Sequence, residues 1–269
     1  KILLMGISFI VVFIFLLVGT LMSFFIATNM EQKRVDVMEE ASLNQLNSKL
    51  TYSIDEVERT LKKLGRSESL VEYIKQYMFT KDDTYERNNF SKKIFLHLSN
   101  TVSIYKDINC IYLISENYII SSSANFDYSI NYAELLKRIR ESGLFNRIRN
   151  SRNEPLAINL NHPDLKIDGP AFALPISDKN GSELGFMITV MNKSWLDGLL
   201  HSTDDIVILD VFSKDAIYTS SKEIYNILIK AYIPNDTSTG NILKKIEGKS
   251  YKILSTELGI TSWKVFLVR

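Results

Sequence analysis

The pattern of hydrophobic and polar positions starts with one unbroken apolar run. From Ile2 to Ala27 the sequence carries no charged side chain. A bilayer core of roughly 30 Å needs about 20 helical residues, and a helix satisfies its own backbone hydrogen bonds in lipid. A cleaved signal peptide would have a shorter apolar region, of about 7–15 residues, and a small-residue cleavage site. We therefore predict a transmembrane helix over residues 1–28, with membrane lipid around residues 2–27.

A helical pattern continues beyond this run. Apolar residues recur three or four positions apart from Leu43 to Leu64, and charged residues fill the other positions. No Pro or Gly interrupts the pattern before Gly65, a residue type common at helix ends. The sequence predicts one long helix from about Asn29 to Leu64 that continues the membrane helix. Its apolar stripe can pack on its own domain or pair with a second copy, so a homodimer through the long helix is a hypothesis.

Two shorter helices are predicted next, over residues 67–79 and 85–105. At Asn109 the pattern changes to short runs rich in Ile and Tyr, which predict a first β-hairpin around residues 115–117. A helix over residues 132–142, ending at Gly143, and a short strand over residues 156–160 follow.

The clearest hairpin signal lies further along the chain. The apolar strands PAFALPI and ELGFMITVM flank SDKNGS, in which Asn180-Gly181 suits a tight turn. A short helix over residues 192–200 ends this unit. A smaller unit then repeats the plan, with a hairpin, a helix and three strands. The pattern therefore predicts an α+β fold with antiparallel sheets.

Composition and charge exclude several classes of function. The net charge of +1 gives no basic surface for nucleic acid, so no nucleic-acid partner is expected. The single cysteine, Cys110, excludes an internal disulfide and a Cys-rich metal site. The three histidines lie far apart, and no phosphate-binding loop or nucleophile motif occurs. We expect no catalytic site, no metal site and no cofactor in this part of the protein.

The ordered elements resemble the double Cache (dCache) sensor domain of bacterial transmembrane signalling proteins. Three segments carry the resemblance. Residues 176–200 resemble the strand, turn, strand and helix that lead out of the membrane-distal module. Residues 205–221 resemble the opening hairpin of the proximal module, and residues 259–269 resemble its last strand, Trp263 included. The resemblance covers about residues 30–269. It implies two stacked PAS-like modules behind the membrane helix, over residues 109–203 and 204–269, with residues 29–108 as the helical part of the sensor.

The resemblance also implies a ligand site. In the family a small ligand lies in the distal module, between its sheet and the loop after the first hairpin. Carried to this sequence, the lining residues would be Tyr112, Ser121, Ser123, Phe126, Tyr128 and Tyr132. Aromatic walls with a few hydroxyls suit a small polar organic molecule. The alternative is that these tyrosines are half-buried strand and loop residues. The amino-acid-sensing subset of the family has an Arg-x-Trp-Tyr motif that this sequence lacks.

The resulting hypothesis is a ligand-sensing region of a membrane receptor, most similar to Gram-positive sensor histidine kinases. A membrane-bound AraC-type regulator or a chemoreceptor is the alternative within the family, and a ligand-free surface protein is the alternative from another class. The ligand would be a small molecule or a peptide. Residues 29–269 are expected outside the cytoplasm, behind a single span in the cell membrane. The sequence looks like part of a longer chain, in which a kinase domain would follow.

Overall fold

The computed structural model describes residues 2–81, 84–115, 117–122, 132–141, 143–151, 155–159, 170–200, 205–211, 216–231, 241–246, 248–258, 261 and 263–269. The chain divides into two compact units, Lys1–Gln45 and Leu46–Arg269. The first unit is helical throughout its described residues. The second contains the end of the long helix and all of the strands.

Three helices precede the first strand. They are α1 (Ile2–Gly65), α2 (Glu68–Phe79) and α3 (Tyr85–Ile104). Within the second unit the predicted apolar stripe of α1 is buried, and Leu50, Ile54 and Leu61 have no exposed surface. Each such side chain contributes about 1.5–3 kcal/mol when fully buried. The stripe is thus part of the core of this unit, as the spacing of its apolar residues allows.

The first sheet is antiparallel and has five strands in the order β2-β1-β5-β4-β3. Its strands are β1 (Ile108–Ile114), β2 (Ile119–Ser121), β3 (Leu156–Asn159), β4 (Pro170–Ser177) and β5 (Glu183–Met191). Helices α4 (Tyr132–Glu141) and α5 (Leu144–Asn150) lie between β2 and β3 in the chain, and α6 (Lys193–Leu199) follows β5.

The second sheet repeats this arrangement. Its order is β7-β6-β10-β9-β8, which places the opening hairpin at one edge and the last strand in the centre, as in the first sheet. The strands are β6 (Ile206–Asp210), β7 (Ala216–Thr219), β8 (Asn241–Ile246), β9 (Lys249–Glu257) and β10 (Trp263–Val268). One helix, α7 (Lys222–Ala231), lies between β7 and β8. The predicted α+β fold with two PAS-like modules is confirmed.

Both faces of the first sheet are covered. Nearly every residue of β4 and β5 is buried, without the alternation expected of a half-exposed strand. One face packs on α4 and α5, where Phe145 stacks on Phe186 with 4.9 Å between ring centroids. The opposite face includes Phe172, which contacts Trp195 of α6 and Trp263 of the second sheet. Aromatic packing therefore joins the two sheets.

Details at three helix ends differ from the expectation. Ser67 precedes α2, but its hydroxyl makes no cap bond and lies 3.2 Å from His97 Nε2 instead. Gly143 has φ 70° and ends α4 as expected, yet a further helix, α5, starts at the next residue. Gly65 is the last residue of α1. Glycine fits there because of limited space and not because of a left-handed backbone, since an added Cβ would lie 3.0 Å from Leu174 Cδ2.

Tyr118 fixes the turn between β1 and β2. Its hydroxyl donates to the carbonyl of Leu184 at 2.8 Å, and its ring meets that of Tyr77 edge-on at 5.1 Å. Burial raises the pKa of Tyr118 well above its usual value. The neutral phenol thus ties this turn to β5 and to α2, on the edge of the sheet where the predicted ligand-binding residues begin.

At Gly185 the backbone of β5 lies very close to that of β1. The φ of Gly185 is 145°, and an added Cβ would lie 2.7 Å from the carbonyl oxygen of Ile114. Because that oxygen is a backbone atom of β1, which pairs with β5, it can move away only if the strand itself shifts. We expect Gly185→Ala to lower the free energy of unfolding by about 2–4 kcal/mol, measured by denaturant titration.

The matched control is Gly198→Ala in α6, where nothing lies within 4 Å of the added Cβ. That substitution should be neutral or stabilise by up to about 1 kcal/mol, since Ala favours a helix more than Gly does. Equal effects at the two positions would contradict the close approach of β5 to β1.

Candidate functional site

The candidate site is the face of the first sheet that packs on α4 and α5. Cross-strand pairing places Ser121, Tyr112 and Ile188 in one row across β2, β1 and β5. Paired residues point to the same face of a sheet. Ser121 is buried and Tyr112 is half-buried. The structure therefore brings together two of the residues that the sequence predicts for a ligand site.

The other predicted site residues are placed less fully. Ser123, Phe126 and Tyr128 lie outside the described residues. Tyr132 is the first residue of α4, but its side chain is not among those described. The lining by these residues stays a prediction.

Apolar side chains form most of the described surface around Tyr112. From the sheet come small and branched residues, and from α4 and α5 come Leu136, Ile139, Leu144 and Ile148. Ser122, beside Ser121, is tied to the backbone of β1, because its hydroxyl accepts from Ile111 N at 2.8 Å. These side chains pack as one hydrophobic core cluster, and Tyr112 and Ser121 supply hydroxyl groups beside it.

Cys110 lies two residues before Tyr112 on the same face and is 6 % exposed. Burial raises the pKa of its thiol to about 11, and a hydrogen bond with Tyr112 partly offsets this. The thiol is therefore protonated at neutral pH and unreactive. Its role here is to fill space beside Tyr112, as expected for a single buried cysteine.

A separate cleft of about 170 Å³ lies on the other side of the first sheet. It is lined by Lys62, Gly65, Arg66, Leu174, Pro175 and Ser177. Sequence reasoning missed it because these residues come from α1 and from β4. Its two cations are at the carbonyl end of α1, where positive charge is favoured by the helix dipole, and Lys62 lies 4.0 Å from Glu58. The ion pair and the helix end give Lys62 a structural role.

The corresponding face of the second sheet packs on α7. Its core includes Val207, Leu209, Leu228 and Phe266. Lys264 is only 2 % exposed, and its ammonium lies 5.7 Å from the ring centroid of Phe266. Among the described residues of the chain, no group of three His, Cys, Asp or Glu side chains is arranged to hold a metal ion.

No protein-family model matches the chain, and no curated protein matches it either. Solved structures do. The sensory domain of the Campylobacter jejuni chemoreceptor Tlp3 superposes with TM-score 0.52 at 12% identity, covering 84% of this chain and 90% of that domain. The extracellular domain of vpHK1S-Z8, a protein assigned as a histidine kinase, gives 0.53 at 14% identity, covering 87% and 94%. Tlp3 with isoleucine bound gives 0.50 at 12% identity, covering 84% and 89%.

The chain has the double Cache fold. The shared architecture agrees with the two sheets of identical strand order and with the helices between their second and third strands. Near the N terminus, α1 also contains a segment long and apolar enough to cross a membrane, with mean hydropathy 2.0 over its most apolar window. In the chain, the elements of the double Cache fold thus follow the one candidate membrane segment found among the described residues.

The thiol of Cys110 reports whether the site face is closed, which gives a second prediction. A pKa of about 11 instead of 9.0 leaves about 100-fold less thiolate at pH 8. We expect Cys110 in the folded chain to react with Ellman's reagent at least about 100-fold more slowly than in denaturant. Since the chain has one cysteine, Cys110→Ser sets the baseline. Rapid reaction of the folded chain would mean that this face is open to solvent.

Proposed function

We propose that this chain is the extracytoplasmic sensor region of a bacterial membrane receptor that transmits small-molecule binding across the membrane. The observation that carries the proposal is the double Cache fold behind a candidate membrane helix. In this proposal residues 109–203 form the membrane-distal module and residues 204–269 the proximal module. Residues 29–269 lie outside the cytoplasm, and lipid surrounds residues 2–27.

The ligand site of the proposal is the face of the first sheet around Tyr112. Its lining consists of Tyr112, Ser121, Ser123, Phe126, Tyr128 and Tyr132. Two observations support this choice: Tyr112 and Ser121 are cross-strand partners on one face, and the floor beside them is apolar. Residues 123–131 follow Ser122 directly in the sequence and include three of the proposed lining residues, so they are the proposed source of specificity contacts.

The ligand class follows from this surface and from the neighbours. A mostly apolar floor with two hydroxyls suits a small organic molecule with an apolar side chain. Tlp3, which shares the fold, has been crystallised with isoleucine, with norvaline and with valine. The sequence lacks the Arg-x-Trp-Tyr motif of the amino-acid-sensing subset, so the screen must extend beyond amino acids. We propose a small apolar-substituted acid or amine as the first class to test, with short peptides next.

Signalling requires that ligand binding favour one arrangement of the chain over another. The output would lie in another part of a longer protein, as a histidine kinase, an AraC-type regulator or a chemoreceptor signalling domain. Fold similarity supports the histidine kinase and the chemoreceptor alike, since Tlp3 and vpHK1S-Z8 both share the architecture. A homodimer through α1 would be one way to couple two copies.

A ligand screen on the whole chain tests the proposal. The chain, reconstituted in lipid nanodiscs, would be titrated with aliphatic amino acids, carboxylic acids, sugars and short peptides while its thermal unfolding is recorded. A ligand that binds only the folded state stabilises it by about 2.7 kcal/mol at 100 times its Kd. We expect at least one compound to raise the unfolding midpoint in a concentration-dependent manner.

Tyrosine variants locate the site. Tyr128→Ala and Tyr132→Ala should abolish the shift, and Tyr112→Phe should weaken it, because each removes a predicted contact. Tyr85→Ala is the matched control, since Tyr85 is 86% exposed at the start of α3, away from the site. Loss of the shift in the control, or retention in all three site variants, would contradict the proposed site. A screen with no ligand would favour the ligand-free surface protein.

A further inference from the structure

The end of α1 contacts the two sheets unequally. On the side of the first sheet, Ser53 Oγ accepts a hydrogen bond from Trp195 Nε1 of α6 at 3.0 Å, a normal distance. Gly65 also fits closely against Leu174 of β4. On the side of the second sheet, Asn47 Nδ2 donates to Thr256 Oγ1 at 3.4 Å, which is long for such a bond. The described bond of α1 on the side of the first sheet thus has a normal length, and its bond to the second sheet is long.

Two complementary polar atoms are buried, one on α1 and one on the second sheet. Asn47 Oδ1 is an acceptor and Trp263 Nε1 is a donor, and neither has a hydrogen-bond partner among the described residues. A buried donor or acceptor without a partner is unfavourable, because it has lost its bonds to water. A hydrogen bond between this donor and this acceptor would satisfy both.

The two atoms belong to the same patch of the second sheet. Thr256, the partner of Asn47, pairs with Val265 across β9 and β10. Trp263 lies two residues from Val265, so its side chain points to the same face. Diagonal neighbours on adjacent strands are about 7–8 Å apart. Thr256, which Asn47 contacts, and Trp263 are therefore diagonal neighbours on one face of the sheet.

The packing around Trp263 permits such a displacement. Phe172 of the first sheet contacts Trp263 at 5.6 Å and Trp195 at 6.1 Å between ring centroids. Ring contacts of this kind have broad geometric preferences, so they adjust without breaking a directional bond. Thr189, the cross-strand partner of Phe172, has a buried hydroxyl with no partner in the described part of the chain.

We propose that α1 takes two positions on the second sheet. In one, seen in the structure, Asn47 bonds to Thr256; in the other, Asn47 Oδ1 accepts from Trp263 Nε1, while the Ser53–Trp195 bond persists in both. The second position makes Trp263 the sensor of α1 displacement. Its use in signalling rests on the proposed function, because the ligand at the first sheet would then select between the two positions.

The two tryptophans provide a direct readout. The chain has only Trp195 and Trp263, so its ¹⁵N-labelled indoles give two signals, which Trp195→Phe and Trp263→Phe assign. In the whole chain in nanodiscs, without ligand, we expect relaxation dispersion on the microsecond-to-millisecond timescale at Trp263 and none at Trp195. Asn47→Leu should abolish the dispersion at Trp263, because leucine cannot accept the bond.

The matched control is Asn100→Leu, which removes an exposed asparagine from α3 and should leave both indole signals unchanged. A second measurement does not depend on the Asn47→Leu protein folding. In ¹⁵N-asparagine-labelled chain, the side-chain amide of Asn47 should show the same dispersion and lose it in Trp263→Phe, which keeps the ring packing but removes the donor.

Several results would overturn the proposal. A single sharp Trp263 signal that is unchanged in Asn47→Leu would mean that α1 has one position and that a bound water accepts the hydrogen bond of the indole. Equal dispersion at Trp195 would mean that the whole junction moves rather than α1 on the second sheet.

A titration with L-isoleucine separates this proposal from the proposed function. Dispersion at Trp263 that isoleucine and the rest of the screen leave unchanged supports the two positions and counts against sensing. Ligand binding without any dispersion or shift at Trp263 supports sensing and overturns the two positions.

Discussion

The packing of Phe172 against Trp263, at 5.6 Å between ring centroids, is the contact on which the arrangement of the two sheets depends. Each sheet has one face covered by its own helices, α4 and α5 on the first and α7 on the second. The other face needs a partner, because a sheet that leaves a wide apolar face in water is unstable. Phe172, Trp195 and Trp263 supply that partner where the sheets meet, and α1 runs beside them with Ser53 and Asn47.

A second link between the modules lies near their edges. Tyr218 of β7 forms a side-chain hydrogen bond with Asp197 of α6, and burial together with this carboxylate raises the pKa of the phenol. A phenol whose pKa is higher in the folded chain than in the unfolded chain stabilises the fold while it is neutral. This contribution is complete at low and neutral pH, and it is lost in the alkaline range above the unfolded pKa of about 10. Around neutrality this link is constant, and it is made from the same helix, α6, that carries Trp195.

Local patterns were enough to predict most of the elements. The spacing of Leu50, Ile54 and Leu61 predicted the buried face of α1, and the apolar runs around Asn180-Gly181 predicted β4 and β5. The turn itself uses Asp178, whose carboxylate accepts from the backbone of Asn180 and Ser182 and has its pKa lowered by those bonds. Helix α5 was not predicted, because Gly143 is typical of a helix end. Seven further residues are helical because Phe145 and Ile148 pack on the sheet, a tertiary contact that the local sequence does not show.

The candidate site shows the limit of such reasoning. A strand pattern shows that Tyr112 faces one side of β1, but the register between strands decides which residues are its neighbours. Tyr112 pairs with Ser121 because of the turn between β1 and β2, which Tyr118 fixes through its hydrogen bond to Leu184. The polar contact between α1 and the second sheet is harder to predict, since Asn47 and Thr256 are 209 residues apart in the sequence. Nothing in the sequence around Asn47 distinguishes it from a solvent-exposed helix residue. Its place beside a buried indole follows only from the packing of α1 on both sheets, which is also why a change at one sheet has a physical route to the other.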